Sequence, residues 1–94
     1  MEYTKDEKHL KIKLNSDFNI VAVRKIENLL KVEETEEIDI DLSESKIVDS
    51  EAIKFIYLKN KEGIRTTIHH PPEILYEALR ILELQDIFKK FIAE

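Results

Sequence analysis

Few side chains in this sequence of 94 residues could take part in chemistry, and they fall into two groups. One is the run Asp49-Ser50-Glu51, which offers a hydroxyl between two carboxylates. The other is the set of three histidines, His9, His69 and His70. His69 and His70 are adjacent, so on a strand they should point to opposite faces and cannot chelate a metal ion together. We therefore expect titrating surface histidines, with no metal site and no other cofactor.

A small enzyme is one interpretation, and the residue pattern argues against it. No nucleophile, general base and orienting group can be assembled from the sequence, and Gly63 is the only glycine, so a glycine-rich phosphate loop is missing. The absence of cysteine excludes disulfides and thiol catalysis. A pocket lined by Asp49, Glu51 and a histidine would revive the enzyme hypothesis.

Composition and charge restrict the partners. A net charge of −5 and a pI near 5.3 argue against nucleic acid, which would require a basic patch or stripe. No apolar run approaches the roughly 20 residues of a membrane helix, and residues 1 to 6 lack the apolar core of a signal peptide. These features predict a cytoplasmic protein without membrane insertion. Abundant Ile, Lys and Glu favour a thermophilic source, or alternatively an AT-rich genome.

Three segments alternate between apolar and polar residues with a period of two, which predicts strands with one buried and one exposed face. Their apolar positions are Leu10/Ile12/Leu14, Ile38/Ile40/Leu42 and Ile64/Thr66/Ile68. Strands covered on both faces would read as continuous apolar runs, so the helices should lie mainly on one face. The other face should carry a ladder of opposite charges formed by Lys11, Lys13, Asp39, Asp41 and Arg65.

Helical patterns separate and follow these strands. Asn19 should cap the first helix, and Ser50 should cap a second helix that ends near Gly63. Pro72 should lie in the first turn of a third helix, and a short fourth helix should span the apolar residues between Leu84 and Ile92.

The order strand, helix, strand, helix, strand implies two right-handed crossovers and parallel pairing. Residues 2 to 8 are candidates for an antiparallel edge strand. We predict a single domain, residues 1 to 94, with a two-layer α/β fold. Its mixed, mainly parallel sheet should have about four strands, with helices mainly on one face.

The stretch from Ile38 to Ile56 resembles the strand, Asp-Ser-Ser-Gly turn and helix of STAS domains, the family of anti-sigma factor antagonists. The resemblance covers nearly the whole chain, although only the Asp49-Ser50 junction is distinctive. In that family, the serine after Asp-Ser accepts a phosphate from a partner kinase. That phosphate decides which partner the domain binds.

Residue by residue, Asp49 and Ser50 match the family's Asp-Ser pair, Glu51 occupies the phosphoacceptor position and Ala52 replaces the glycine. Asn19 stands where many members have an aspartate. Because a serine kinase cannot phosphorylate Glu51, the resemblance implies a fold and a binding surface without the usual switch. The partner-binding residues that it implies are Asp49, Ser50, Glu51, Ala52, Lys54, Phe55 and Asn19.

Glu51 has two compatible interpretations. Acidic residues in the first turn of a helix stabilise it by about 0.3 to 1 kcal/mol, through the unpaired backbone N–H groups and the helix dipole. The alternative is that Glu51 is a permanent, partial mimic of the phosphorylated state. It carries one negative charge, against about −1.5 to −2 for phosphoserine.

The resemblance implies a non-enzymatic protein-interaction module in bacterial regulatory signalling. Its expected partner is an anti-sigma-factor-like kinase or a phosphatase, and the module itself should be a monomer or a weak dimer. A second hypothesis is a STAS subunit that docks on a larger assembly, such as a lipid-transport ATP-binding-cassette system.

Overall fold

A four-stranded mixed sheet forms the centre of the computed structural model, which describes residues 1–93. The strands follow the chain order across the sheet, and they comprise β1 (Glu2–Asp6), β2 (His9–Lys13), β3 (Glu37–Asp41) and β4 (Arg65–His69). β1 is antiparallel to β2, whereas the pairs β2–β3 and β3–β4 are parallel. The predicted edge strand and the predicted parallel pairing are both confirmed.

Helices follow each of the three parallel strands. They comprise α1 (Ile20–Val32), α2 (Ser50–Lys61), α3 (Glu73–Ile81) and α4 (Gln85–Phe88), and a 3₁₀ turn (Lys89–Phe91) follows α4. In residues 1–93, no helix combines the length and the apolar character needed to cross a bilayer.

The buried face of the sheet is the one that the alternation predicts. Its fully or almost fully buried side chains are Leu10, Ile12, Leu14, Ile38, Ile40, Leu42, Thr66 and Ile68. Ile64 precedes β4 and is only partly buried. The intervening residues remain in contact with solvent: Lys11 is exposed and Asp39 is half-buried. Because only one face is covered, the predicted two-layer arrangement is correct.

Two helix caps differ from the prediction by one residue. Asn19 caps α1 as expected, and its side-chain oxygen accepts hydrogen bonds from the N–H groups of Val21 and Ala22. For α2 the cap is Asp49 and not Ser50, because Asp49 has the extended backbone and supplies the accepting oxygen. Pro72 is likewise the cap of α3 and not a residue of its first turn.

A side chain satisfies backbone hydrogen-bonding groups at the outer edge of β4. The Asn60 amide, near the end of α2, accepts a hydrogen bond from the Thr66 N–H (2.9 Å) and donates one to the Thr66 carbonyl (3.0 Å). It also donates to the Ile56 carbonyl in α2 (2.9 Å). Because these bonds replace those of a further strand, Asn60 joins the end of α2 to the sheet edge. The turn between them uses Gly63 at a φ of 95°, as predicted for the helix stop.

Candidate functional site

Two loops meet where α1 and α2 begin. One follows β2 and ends at Asn19, and the other follows β3 and ends at Asp49. The Phe18 N–H donates to the Ile47 carbonyl (2.9 Å), and the Asp49 N–H donates to the Phe18 carbonyl (3.0 Å). These bonds pair Phe18 with Val48 as in a short parallel ladder. The starts of the two helices are therefore fixed relative to each other.

Side chains strengthen this junction. The Asp17 carboxylate accepts hydrogen bonds from the N–H groups of Lys46 (2.9 Å) and Ile47 (3.0 Å). The buried Ser45 hydroxyl donates to the Ser16 carbonyl at 2.6 Å. Ser45 therefore ties the two loops together. The junction should consequently be rigid, because its backbone groups are satisfied internally.

Asp49 organises the first turn of α2. Its carboxylate accepts a hydrogen bond from the Ala52 N–H (3.0 Å), and its carbonyl accepts the first helical hydrogen bond, from the Ile53 N–H (3.1 Å). Ser50 and Glu51 are consequently the first two helical residues, and both are exposed. Since Asp49 caps the helix, the capping role predicted for the Ser50 hydroxyl does not exist.

The predicted partner-binding residues divide into three groups. Ser50, Glu51 and Lys54 are exposed. Asp49 and Asn19 are half-buried, and their side chains serve as helix caps. The remaining two, Ala52 and Phe55, are buried in the core.

The prediction that Ala52 and Phe55 contribute side chains to a binding surface is wrong, because both side chains are buried. Ala52 is 0% exposed and Phe55 is 3% exposed. The Phe55 ring packs edge-on against Phe18, with 6.3 Å between the ring centroids. Their positions in α2 point toward the sheet because apolar residues three and four apart share one helix face. The accessible surface therefore consists of Ser50, Glu51 and Lys54. We call these three residues the α2 surface.

An apolar groove adjoins the α2 surface. It runs between α2 and the segment that joins α3 to α4, and its lining residues are Ser50, Ile53, Lys54, Tyr57, Leu82, Leu84 and Ile87. Leu82 is 51% exposed and Ile87 is 41% exposed, so their apolar side chains are accessible to solvent. The sequence analysis did not identify this groove, because the groove depends on how α2 packs beside the α3–α4 segment.

A network of charged side chains crosses the opposite, open face of the sheet. Asp39 lies at its centre: one carboxylate oxygen contacts His69 Nε2 (2.8 Å), and the other forms a short contact with His9 Nε2. His9 Nδ1 lies 3.2 Å from the Glu37 carboxylate, which also accepts a hydrogen bond from Arg65 Nη1 (2.8 Å). We call these five residues the His9 network.

The His9 network replaces the predicted ladder of lysines and aspartates. Lys11 and Asp39 are register neighbours, as are Lys13 and Asp41, so the side-by-side placement is correct. However, Lys13 forms its ion pair with Glu44 (3.0 Å), and Asp39 is engaged by histidines. The sequence predicted surface histidines, but the strand register that brings His9 and His69 to Asp39 leaves no signal in the sequence.

The electrostatic state of Asp39 follows from these contacts. Partial burial alone would raise the pKa of Asp39. Hydrogen bonds from His69 and His9, together with charge attraction, outweigh burial and lower that pKa below its ordinary value of 3.8. Asp39 is therefore an ionised acceptor. Within residues 1–93, no cluster of three or more His, Asp or Glu side chains has an arrangement that could hold a metal ion.

The catalytic constellation considered for the sequence is not assembled around α2. His9 and His69 belong to the open face, whereas Asp49 and Glu51 belong to a helix that packs on the covered face. What α2 offers near its start is an accessible surface formed by Ser50, Glu51 and Lys54. Comparison of the chain with protein-family models and with curated proteins gives no match.

Proposed function

We propose that this protein is a non-enzymatic protein-interaction module of bacterial regulatory signalling, similar to a STAS-type anti-sigma factor antagonist, and that it acts in the cytoplasm. Its contact region is the α2 surface. The proposed partner is an anti-sigma-factor-like kinase or a phosphatase that reads the state of a serine in related modules.

One observation carries this proposal: Glu51 is exposed in the first turn of a helix whose start is fixed by neighbouring loops. Hydrogen bonds between the loops fix the position of Asp49, and Asp49 then caps the helix. The backbone of this surface is already ordered, so binding of a partner would require little further ordering. Such preorganisation lowers the entropic cost of association.

The negative charge of Glu51 is a permanent feature of this surface. A carboxylate at the phosphoacceptor position remains negative without any kinase, which supports a module held in one binding state. Lys54 lies three residues along the same helix and is also exposed, so the α2 surface presents one charge of each sign. Paired charges of this kind discriminate between partners and set the orientation of the complex.

The apolar groove supports a second candidate function, docking on a larger assembly such as a lipid-transport ATP-binding-cassette system. The groove shares Ser50 and Lys54 with the α2 surface, and accessible Leu82 and Ile87 extend it. Stable subunit interfaces are enriched in buried apolar contacts relative to transient ones. A permanent subunit would use such a groove without any phosphorylation.

Affinity capture from a lysate of the source organism would separate the two candidates. The wild-type protein and the Glu51→Ala variant serve as baits, and Glu27→Ala provides a matched control because Glu27 is an exposed glutamate in α1. A kinase-like ATPase that binds wild type and Glu27→Ala but is lost from Glu51→Ala supports the signalling module. A transporter ATPase retained by all three baits supports the docking subunit.

A further inference from the structure

The two ring nitrogens of His9 face two different carboxylates. His9 Nδ1 lies 3.2 Å from Glu37 Oε2, and His9 Nε2 is in short contact with Asp39 Oδ2. An ionised carboxylate only accepts hydrogen bonds, and a neutral imidazole carries a single N–H. Both contacts are hydrogen bonds only when both ring nitrogens carry hydrogen. The geometry thus matches the imidazolium form of His9.

The other members of the His9 network are satisfied without a further proton. His69 can donate to Asp39 through Nε2 as a neutral ring, and Arg65 supplies the permanent charge that faces Glu37. With His9 protonated, His9 and Arg65 supply two positive charges in contact with the carboxylates of Glu37 and Asp39. Without that proton, Arg65 remains paired with Glu37, and one of the two His9 contacts becomes a repulsion between lone pairs.

Among residues 1–93, Arg65 is the one lysine or arginine that forms an ion pair with Glu37 or Asp39, and Lys11, the register neighbour of Asp39, forms none. The charged groups near His9 on its own and adjoining strands include its register neighbour Asp6 on β1. Lys11 follows on β2, Glu37 and Asp39 lie on β3, and the groups on β4 are Arg65 and His69. Beyond the end of the strands, Lys8 is engaged by Glu34 and Glu36.

We propose that His9 is a proton-operated switch on the open face of the sheet. Protonated His9 bridges Glu37 and Asp39 and holds the side chains of β2, β3 and β4 in one network. Loss of one proton forces His9 to release a carboxylate and gives this face an additional net negative charge. This switch is independent of the α2 surface, which lies on the covered side of the sheet.

Long-range ¹H–¹⁵N NMR of the histidine rings tests the proposal directly, because it reports which ring nitrogens carry hydrogen. The spectra are recorded from about pH 5 to 8, the range in which histidine changes charge. In the wild-type protein, His9 should show the pattern of two protonated nitrogens in the lower part of this range. It should change to the one-proton pattern in a single step.

Glu37→Gln provides the decisive comparison, because it removes one of the two charges that favour the His9 proton. The partly exposed position of Glu37 favours a folded variant. In Glu37→Gln, the two-proton pattern of His9 should give way to the one-proton pattern at a lower pH than in the wild type, because one of the two carboxylates that accept its hydrogens is lost. His70, which lies outside the network, should not move. Glu36→Gln is the matched control, since Glu36 is a neighbouring glutamate that pairs with Lys8.

Two results would overturn the switch. One is a His9 ring that carries a single hydrogen across the whole pH range. The other is an unchanged His9 midpoint in Glu37→Gln, because a bridging proton must respond to the loss of one of its two acceptors. Circular dichroism of each variant, run alongside, establishes that the compared proteins are folded.

Discussion

Replacing Asn60 with alanine should destabilise the protein by about 2 to 4 kcal/mol. The substitution removes three hydrogen bonds, two of them to the backbone of Thr66, a residue with 0% exposure. A hydrogen bond contributes about 0.5 to 1.5 kcal/mol net, and a buried group left without a partner costs about 1 to 3 kcal/mol. The melting temperature should fall by about 10 to 30 °C, given the usual relation for domains of this size.

Urea unfolding followed by far-UV circular dichroism would measure this loss. Asn15→Ala is the matched control, because the Asn15 amide makes one exposed hydrogen bond, to Glu2 (3.2 Å). Its effect should stay within about 0.5 kcal/mol. A loss below about 1 kcal/mol in Asn60→Ala would refute the reasoning. It would mean that water satisfies the Thr66 backbone, and that Asn60 does not hold α2 to the sheet edge.

Three further predictions concern single residues. Asp49→Ala should cost about 1 kcal/mol by removing the α2 cap, and Ser50→Ala should change stability by less than about 0.5 kcal/mol; equal effects in urea unfolding would contradict the cap assignment. Glu7→Gly should stabilise the β1–β2 turn by about 0.5 to 1 kcal/mol, because Glu7 has a φ of 56°, and a lower melting temperature would count against it. Asp39 has a lowered pKa, so its stabilising effect is complete above pH 3.8 and is lost as the pH falls through that lowered pKa. The stability difference between wild type and Asp39→Asn should therefore shrink in acid, whereas a pH-independent difference would exclude this linkage.

The fold was predictable because the pattern of apolar and polar residues within each short segment indicates its secondary structure and its buried face. Period-two alternation assigned Ile12 and Ile40 to the buried face and Lys11 to the exposed face, and the structure agrees. The cap of α2 was predicted one residue too late, because Asp49 and Ser50 are adjacent and both are favourable capping residues. The choice depends on the backbone conformation: the cap is extended, whereas the next residue is already helical, and the sequence does not show at which residue this change occurs.

The candidate site was only partly predictable. Motif position suggested Ala52 and Phe55 as binding residues, although apolar spacing along α2 already favoured burial for both. The His9 network depends on strand register, and the role of Asn60 depends on a turn that brings it beside Thr66. The histidine contacts join residues 30 positions apart, and the contacts of Asn60 with Thr66 span only six but require the geometry of the turn. Neither residue type nor spacing encodes them.

The proposal that the α2 surface binds the partner is tested most directly by calorimetric titration of the captured partner with charge-reversed variants. Glu51→Lys should weaken binding by at least about tenfold, since it reverses a charge at the centre of the proposed interface. Glu27→Lys, the same substitution on the exposed face of α1, should leave the affinity unchanged. Equal affinities for wild type, Glu51→Lys and Glu27→Lys would contradict the account and would place the interface away from the start of α2.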